Sequence, residues 1–325
     1  MRVRVPATSA NLGPGFDALG LALSLYDEVE VRLVSSGLHI DVSGEGAAHV
    51  ADAEEAHLVV RAMRATFDDL GARQPPGLAL RCVNRIPHGR GLGSSAAAIV
   101  AGILAARALA GAEASPGEAL PLANALEGHP DNVAPCLYGG LTIAWLADED
   151  AGGRATGDAD GQPKVTAGAS PAGTARAVRL EPAEGITPVA IIAPEAVSTE
   201  VARGLLPARV PHADAARSAG RAALLVAALT VWPDALFDAT EDRLHQDYRA
   251  PAMPATSDLV GRLRAARVPA VVSGAGPSVL AFLTSGQGLD RVDSTVKETG
   301  IEWLISPLDV ERLGASVAPG VPSAR

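Results

Sequence analysis

The 325-residue chain has little lysine, little cysteine and few aromatic side chains. Lys164 and Lys297 are the only lysines among 27 basic residues, so 25 are arginines. A lysine-built phosphate site therefore has almost no material. Anion binding falls to Arg, to backbone N–H groups or to a metal. Two cysteines, Cys82 and Cys136, stand far apart with no Cys-x-x-Cys or Cys/His cluster. That excludes a disulfide framework, a zinc site and a dithiol redox motif, and it fits a reducing, cytoplasmic location. No run of ~20 apolar residues is present, and the stretch Ala96–Ala110 is broken by Gly102 and Arg107, so no membrane partner is expected. The opening residues MRVRVPATSANLG lack the apolar core of a signal peptide. A net charge of −10 argues against non-specific binding to nucleic acid.

Apolar residues make up 48% of the chain, enough to rule out global disorder, and the length suggests two domains of roughly 150 residues each. Val3 and Val5 alternate with Arg2 and Arg4, the pattern of a strand. Val29–Leu33 and Leu38–Val42 alternate likewise around Ser35-Ser36-Gly37 and predict a hairpin. The spacing predicts a helix over His57–Leu70 closed by Gly71, a strand over Leu78–Ile86 and a small-residue helix from Ser94. Ser115-Pro116-Gly117-Glu118 reads as a capping box that starts a further helix running to about Glu127. Leu141–Leu146 reads as a strand.

Residues 148–176 are rich in Gly, Ala, Asp, Thr and Pro, with almost no large apolar side chain, and read as a flexible insertion. Beyond it come strands at Val189–Ile192, Ala270–Ser273, Val279–Leu283 and near Ile301–Ile305. Helices are expected at Thr199–Leu206, Asp214–Leu229, Ser257–Arg267 and near Leu289–Thr299. Strands and helices mix without a βαβ rhythm, which favours α+β over a doubly wound sheet. The domains divide as 1–180 and 181–325.

The strongest local signal is Pro87-His88-Gly89-Arg90-Gly91-Leu92-Gly93-Ser94-Ser95-Ala96-Ala97, which joins a strand to a helix. Glycines permit positive φ and let backbone N–H groups approach a ligand closely. The helix start adds unpaired N–H groups and partial positive charge. Together they make a phosphate cradle. The loop lacks the Gly-Lys-Ser/Thr of a Walker A motif, and its third glycine comes one residue early for a dinucleotide fingerprint.

With this loop in view, the sequence resembles the GHMP kinases, and within that superfamily the homoserine kinase family. Pro6-Ala7-Thr8-Ser9-Ala10-Asn11-Leu12-Gly13-Pro14-Gly15-Phe16-Asp17, the Pro87–Ala97 loop, His129-Pro130-Asp131-Asn132-Val133-Ala134-Pro135 and Ser273-Gly274-Ala275-Gly276-Pro277-Ser278-Val279 carry the resemblance in order. It implies a two-domain fold: an N-terminal domain like ribosomal protein S5 domain 2, then a ferredoxin-like C-terminal domain. It implies ATP as co-substrate, Mg²⁺, and transfer of phosphate to the hydroxyl of L-homoserine on the way to threonine. A homodimer is expected at the level of the family only. The alternatives are another small-molecule GHMP kinase of mevalonate type, a non-catalytic ligand sensor on the same fold, and a plain α+β binding module.

Site residues follow from the same resemblance. Pro87 to Ala97 bind ATP, and Ser95 with Glu127 hold the metal. Glu127 ends a helix, where a carboxylate opposes the helix dipole. Arg203 and Arg249 match the family's carboxylate-binding arginines, and Asp17 suits the ammonium. Thr199 resembles a family residue near the substrate, and an N-cap role for Ser198 or Thr199 fits equally well. Arg90 is a weaker third arginine beside the phosphates. Asn11 is a candidate for the amino-acid end. Asn132 stands where other superfamily members carry a catalytic Asp. An amide cannot act as a base near neutral pH, so Asn132 is expected to orient the hydroxyl, with the adjacent Asp131 as the candidate base. His129 either contacts the amino acid or orders the loop. The Gly274–Pro277 loop is expected to close the site structurally. No adenine pocket is legible in the residues; family position points to the segment from His57 to Arg61. His39, His49, His212 and His245 show no ligand spacing and carry no functional signal.

Overall fold

Alternating Val3, Val5 and Ala7 bury one face of β1 (Arg2–Ala10), which runs antiparallel to the long β2 (Leu19–Leu33). The register shifts between Pro6 and Ala7, next to a residue with no N–H to give the ladder. The computed structural model describes residues 1–147, 173–284 and 288–319. After β2 come β3 (Gly37–Gly44), α1 (Ala47–Val50), α2 (Leu58–Asp69), β4 (Gly77–Asn84), α3 (Ser94–Ala110), α4 (Pro116–Glu127), α5 (Pro130–Tyr138), β5 (Leu141–Ala147) and β6 (Thr174–Leu180). The remaining elements are β7 (Thr187–Ile192), α6 (Thr199–Gly204), α7 (His212–Thr230), α8 (Leu236–Ala239), α9 (Gln246–Arg249), α10 (Pro254–Ala265), β8 (Ala270–Val272), β9 (Val279–Leu283), α11 (Asp290–Lys297), β10 (Leu304–Pro307) and β11 (Ser316–Ala318).

Two sheets result. The first has the order β11-β1-β2-β4-β3, with β5 paired to the start of β2 and β6 to β5. The second is antiparallel, β10-β7-β9-β8. This is an α+β, two-sheet architecture, as the mixed order of strands and helices predicts. After β10 the chain returns to the first sheet, where β11 pairs with β1.

The expected hairpin at Val29–Val42 does not form. β4 sits between β2 and β3, antiparallel to the first and parallel to the second. Alternation fixes which face of a strand is buried but not which strand lies beside it. The tail of the expected insertion, Thr174–Arg176, is ordered as the first turnless residues of β6, paired with Trp145–Ala147; residues 148–172 lie outside the described residues. The capping box at Ser115 is not made: Ser115 precedes α4 with no side-chain cap bond, and Glu118 pairs with Arg107 instead.

Helix α3 is the hub of the first core. Its residues Ala96 to Ala106 are almost all buried, because small side chains let neighbours come close on every side. A Cβ at Gly102 would lie 2.4 Å from Val59 O of α2. The second sheet splits its strands between two cores. Val189 and Ile191 face α10 and α11, while Ala190, Ile192, Leu280 and Phe282 join the main core beside Leu225 and Leu229 of α7. Among the described residues no helix is long and apolar enough to cross a membrane.

Candidate active site

Gly89, Gly91 and Gly93 hold φ of +66°, +72° and +72°, a conformation that side chains beyond glycine rarely adopt. Space also demands glycine here. A Cβ at Gly91 would meet Ser273 O at 2.1 Å, and one at Gly93 would meet Thr8 Oγ1 at 2.0 Å. Gly93 caps α3, and the N–H groups of the first turn at Ser94 and Ser95 open onto the cleft. The side chains of Pro87, Leu92 and Ala96 are buried, so these loop residues can offer a ligand only their backbone.

Arg90 points elsewhere than expected. Its guanidinium donates to the carbonyls of Ala193 (2.7 Å), Pro194 (2.7 Å) and His88 (3.1 Å). It ties the glycine loop to the segment after β7 and has its donors spent on carbonyl groups, not on the cleft.

The other motifs close on this loop. Ser273 Oγ donates to Gly91 O at 2.6 Å, Thr8 N–H donates to Leu92 O at 3.1 Å, and Gly274 N–H donates to Ala10 O at 3.1 Å. Residues from β1, from the start of α3 and from the β8–β9 connection thus form one floor. Asn11 lines the cleft, but its amide is engaged: Nδ2 donates to Gly274 O (2.8 Å) and Oδ1 accepts from Asp17 N–H (2.9 Å). It fixes the Asn11–Asp17 turn, where Asn11, Leu12 and Asp17 all have positive φ.

Helix α5, absent from the sequence reading, carries the next group. Its motif reads as a loop because of Pro130 and Pro135. Pro130 occupies the first turn, where no N–H is missed. Gly20 of β2 admits the helix: a Cβ there would lie 2.1 Å from Asp131 O and 2.7 Å from Pro135 Cγ. Asn132 then meets Thr8, whose Oγ1 donates to Asn132 Oδ1 at 2.8 Å, leaving the amide N–H₂ toward the cleft. Thr8 is a fully buried part of the site that sequence reasoning did not single out.

Asp131 is 1% exposed, and its Oδ1 holds His129 Nδ1 at 2.7 Å. Burial works to lower the His129 pKa, but the hydrogen bond and charge of Asp131, with Glu127 behind them, raise it above the ordinary histidine value. Glu127, at the end of α4, accepts from Ser95 Oγ at 2.7 Å. Burial raises the Glu127 carboxyl above its ordinary value, against the Ser95 bond and the His129 charge. A half-buried carboxylate beside a hydroxyl at the mouth of the cleft is a donor set that fits Mg²⁺. Among the described residues no cluster of three or more His, Cys, Asp or Glu forms an all-protein metal cage, and Mg²⁺ bound with nucleotide needs none.

The two expected substrate ions face each other. Arg203, on α6, makes a two-point pair with Asp17: Nη2 to Oδ1 at 2.8 Å and Nη1 to Oδ2 at 3.3 Å. Thr199 opens α6 on the same wall of the cleft, and Ser198 before it makes no side-chain cap. Arg249, on α9, is 1% exposed, with Nη1 donating to Gly274 O at 3.3 Å and Nε unpartnered. Burial and the charge of Arg203 lower its pKa below the ordinary arginine value.

A second, apolar pocket of about 300 Å³ adjoins this polar cleft of about 140 Å³, and the two share Ser94 and Ser95. Ala56, His57, Leu58 and Val59 wall it on one side, Val5, Val29 and Ala97 on the other. His57 is 7% exposed with Nδ1 buried and unpartnered. Burial, then the nearby His88 charge, pushes its pKa down. Asp27 also borders this pocket, accepting the N–H groups of Arg85 and Ile86 at 2.6 and 2.9 Å. It was not legible as a site residue, since a lone Asp in an alternating strand reads as a solvated face.

Residues 57–140 match the family model for the GHMP kinases N terminal domain. The chain is 53% identical to a homoserine kinase of Streptomyces coelicolor, over 98% of this chain and 94% of that one. It is 48% identical to a homoserine kinase of Clavibacter michiganensis, over 98% and 93%. Among solved structures, a homoserine kinase from Cytophaga hutchinsonii superposes with a TM-score of 0.78 at 27% identity, covering 98% of this chain and 97% of that one. A mevalonate kinase shares the fold alone, with a TM-score of 0.61 at 12% identity over 96% of this chain and 99% of that one.

Proposed function

The chain belongs to the homoserine kinases of the GHMP kinase superfamily and catalyses ATP-dependent phosphorylation of L-homoserine; on that premise we propose how its own residues divide the reaction. The observation that carries the proposal is the convergence of Gly91, Gly93, Asn132, Arg203 and Arg249 on one small cleft beside an apolar pocket, with Asp17 paired to Arg203.

The apolar pocket takes the adenosine, with neutral His57 Nδ1 offering its hydrogen bond to the base. The triphosphate lies along the Gly89–Ser95 backbone, which supplies N–H donors and the start of the α3 dipole without any lysine. Ser95 and Glu127 hold Mg²⁺, which when bound neutralises phosphate charge. Arg90 braces the loop through carbonyls and leaves the phosphates to the backbone.

The amino acid lies at the other end. Arg249 has unclaimed donors and anchors the carboxylate; Asp17 and Arg203 face the ammonium and carboxylate as a paired set. Asn11 is a positioning residue for Asp17. The homoserine hydroxyl oxygen bonds to the γ-phosphorus as the bond to the ADP oxygen breaks, and ADP leaves with that electron pair. Asn132, held by Thr8, turns its N–H₂ to the reacting oxygens and orients them. Asp131 is committed to His129 and does not serve as base. The loose transition state asks for alignment and charge stabilisation first, so the hydroxyl proton leaves late, with the transferred phosphoryl group or to water. Two buried, unpaired cysteines suit a cytoplasmic enzyme.

The test is ADP release with L-homoserine, mevalonate and L-serine in parallel. We expect turnover with homoserine alone at high efficiency. Equal turnover with mevalonate, or none that depends on homoserine, would refute the reading.

A further inference from the structure

His245 precedes α9 and is completely buried. Both of its ring nitrogens are occupied. Nε2 lies 2.9 Å from the carbonyl oxygen of Gly13, and Nδ1 lies 3.2 Å from Arg249 Nη1. A carbonyl can only accept and a guanidinium can only donate, so the ring carries its proton on Nε2 and a lone pair on Nδ1. Burial pushes the imidazole pKa down, against the pull of Asp242, which keeps the ring in the neutral form this pattern requires. Phe16 stacks on the ring with centroids 5.0 Å apart, and Asp242 fixes the turn beneath it by accepting the N–H groups of Leu244, His245 and Gln246.

Arginine has many donors and no intrinsic reason to present a chosen edge. Here Nη1 is claimed twice, by His245 and by Gly274 O, while Nε stays buried and unpartnered. The unclaimed Nε and Nη2 form the side-on edge that matches a carboxylate with two parallel hydrogen bonds. We infer that His245 is a positioning residue: it holds Arg249 by Nη1, leaves that edge free for the substrate carboxylate, and through Gly13 ties it to the Asn11–Asp17 turn. This rests on the reading of Arg249 as the carboxylate anchor.

The test uses two replacements that each keep half of the imidazole. His245→Asn can place an oxygen near Nδ1 and so keep the acceptor for Arg249. His245→Gln can place an amide N–H near Nε2 and so keep the donor to Gly13. We expect H245Q to lower kcat/KM for homoserine by about 10- to 100-fold, the effect of losing one hydrogen bond to a charged group, with KM for ATP changed less than about twofold. H245N restores most of the loss. In an Arg249→Ala background the effect of H245Q on homoserine kcat/KM shrinks to less than about twofold, because there is no guanidinium left to position. An H245Q loss that persists in that background, or equal losses in both replacements, would overturn the role of His245. If R249A alone leaves homoserine kcat/KM unchanged, the anchor reading itself is wrong; if R249A is damaging and H245Q harmless, only the His245 inference falls. Nitrogen NMR of the histidine-labelled native enzyme provides a check that needs no variant: an Nε2–H neutral ring supports the inference, and an Nδ1–H or doubly protonated ring overturns it.

Discussion

The two ends of the cleft are built from different materials. At the end we propose for the phosphates the donors are in the backbone: three left-handed glycines, the start of α3, and carbonyl contacts from Arg90 and Ser273 that brace the loop. At the end we propose for the amino acid they are in side chains brought from four separate stretches, Asp17, His129–Asn132, Arg203 and Arg249, held by ion pairs and hydrogen bonds. A backbone site tolerates many side-chain changes and almost no change of shape. A side-chain site is the reverse. On the proposed reading, this contrast lets a chain with two lysines bind a triphosphate and puts its arginines to use at the other end.

The largest effect is expected where shape is most confined. Gly91→Val places a branched side chain at a left-handed φ and within 2.1 Å of Ser273 O. ATP affinity by calorimetry should fall by about 1,000-fold or more, and thermal melting should drop with it. Normal ATP binding by this variant would break the backbone account. Next, Asn132→Ala should lower kcat by about 100- to 1,000-fold with both KM values nearly unchanged, if the amide held by Thr8 orients the reacting oxygens as proposed. Full kcat would remove its orienting role.

His57→Ala should raise KM for ATP by about three- to tenfold, the loss of one hydrogen bond, and leave homoserine untouched. The smallest effect is on stability. The folded-state pKa of Glu127 is raised, so its contribution to stability is greatest below the unfolded carboxyl value and is lost as pH rises through the folded one. Above that folded value the metal-free enzyme bears the cost, so there Glu127→Gln should melt higher than the native enzyme without Mg²⁺, and Mg²⁺ with ATP should raise melting more in the native enzyme than in the variant. A native enzyme that melts higher without Mg²⁺ would contradict the cost, and equal Mg²⁺ shifts in the two would show that Glu127 is not a metal ligand.

Local chemistry was legible in the sequence where function and chain order coincide. The Gly89–Ser95 loop announces itself because glycine, serine and a helix start are contiguous, and the α+β class follows from alternation and spacing. Strand pairing was not legible: β4 enters between β2 and β3, a choice made by the core, not by the turn at Ser35–Gly37. Helix α5 was hidden by its two prolines and depends on Gly20, more than a hundred residues earlier. Arg90, next to the phosphates in sequence, turns its guanidinium to the Ala193 and Pro194 carbonyls. The value of His245 shows only when its two neighbours, Gly13 and Arg249, are both in place.

The most direct test of this division is steady-state kinetics of Arg249→Ala with each substrate varied against the other. KM for homoserine should rise by about 100-fold or more while KM for ATP stays within about twofold of the native value. A rise shared equally by the two substrates, or confined to ATP, would contradict a cleft with a backbone end and a side-chain end.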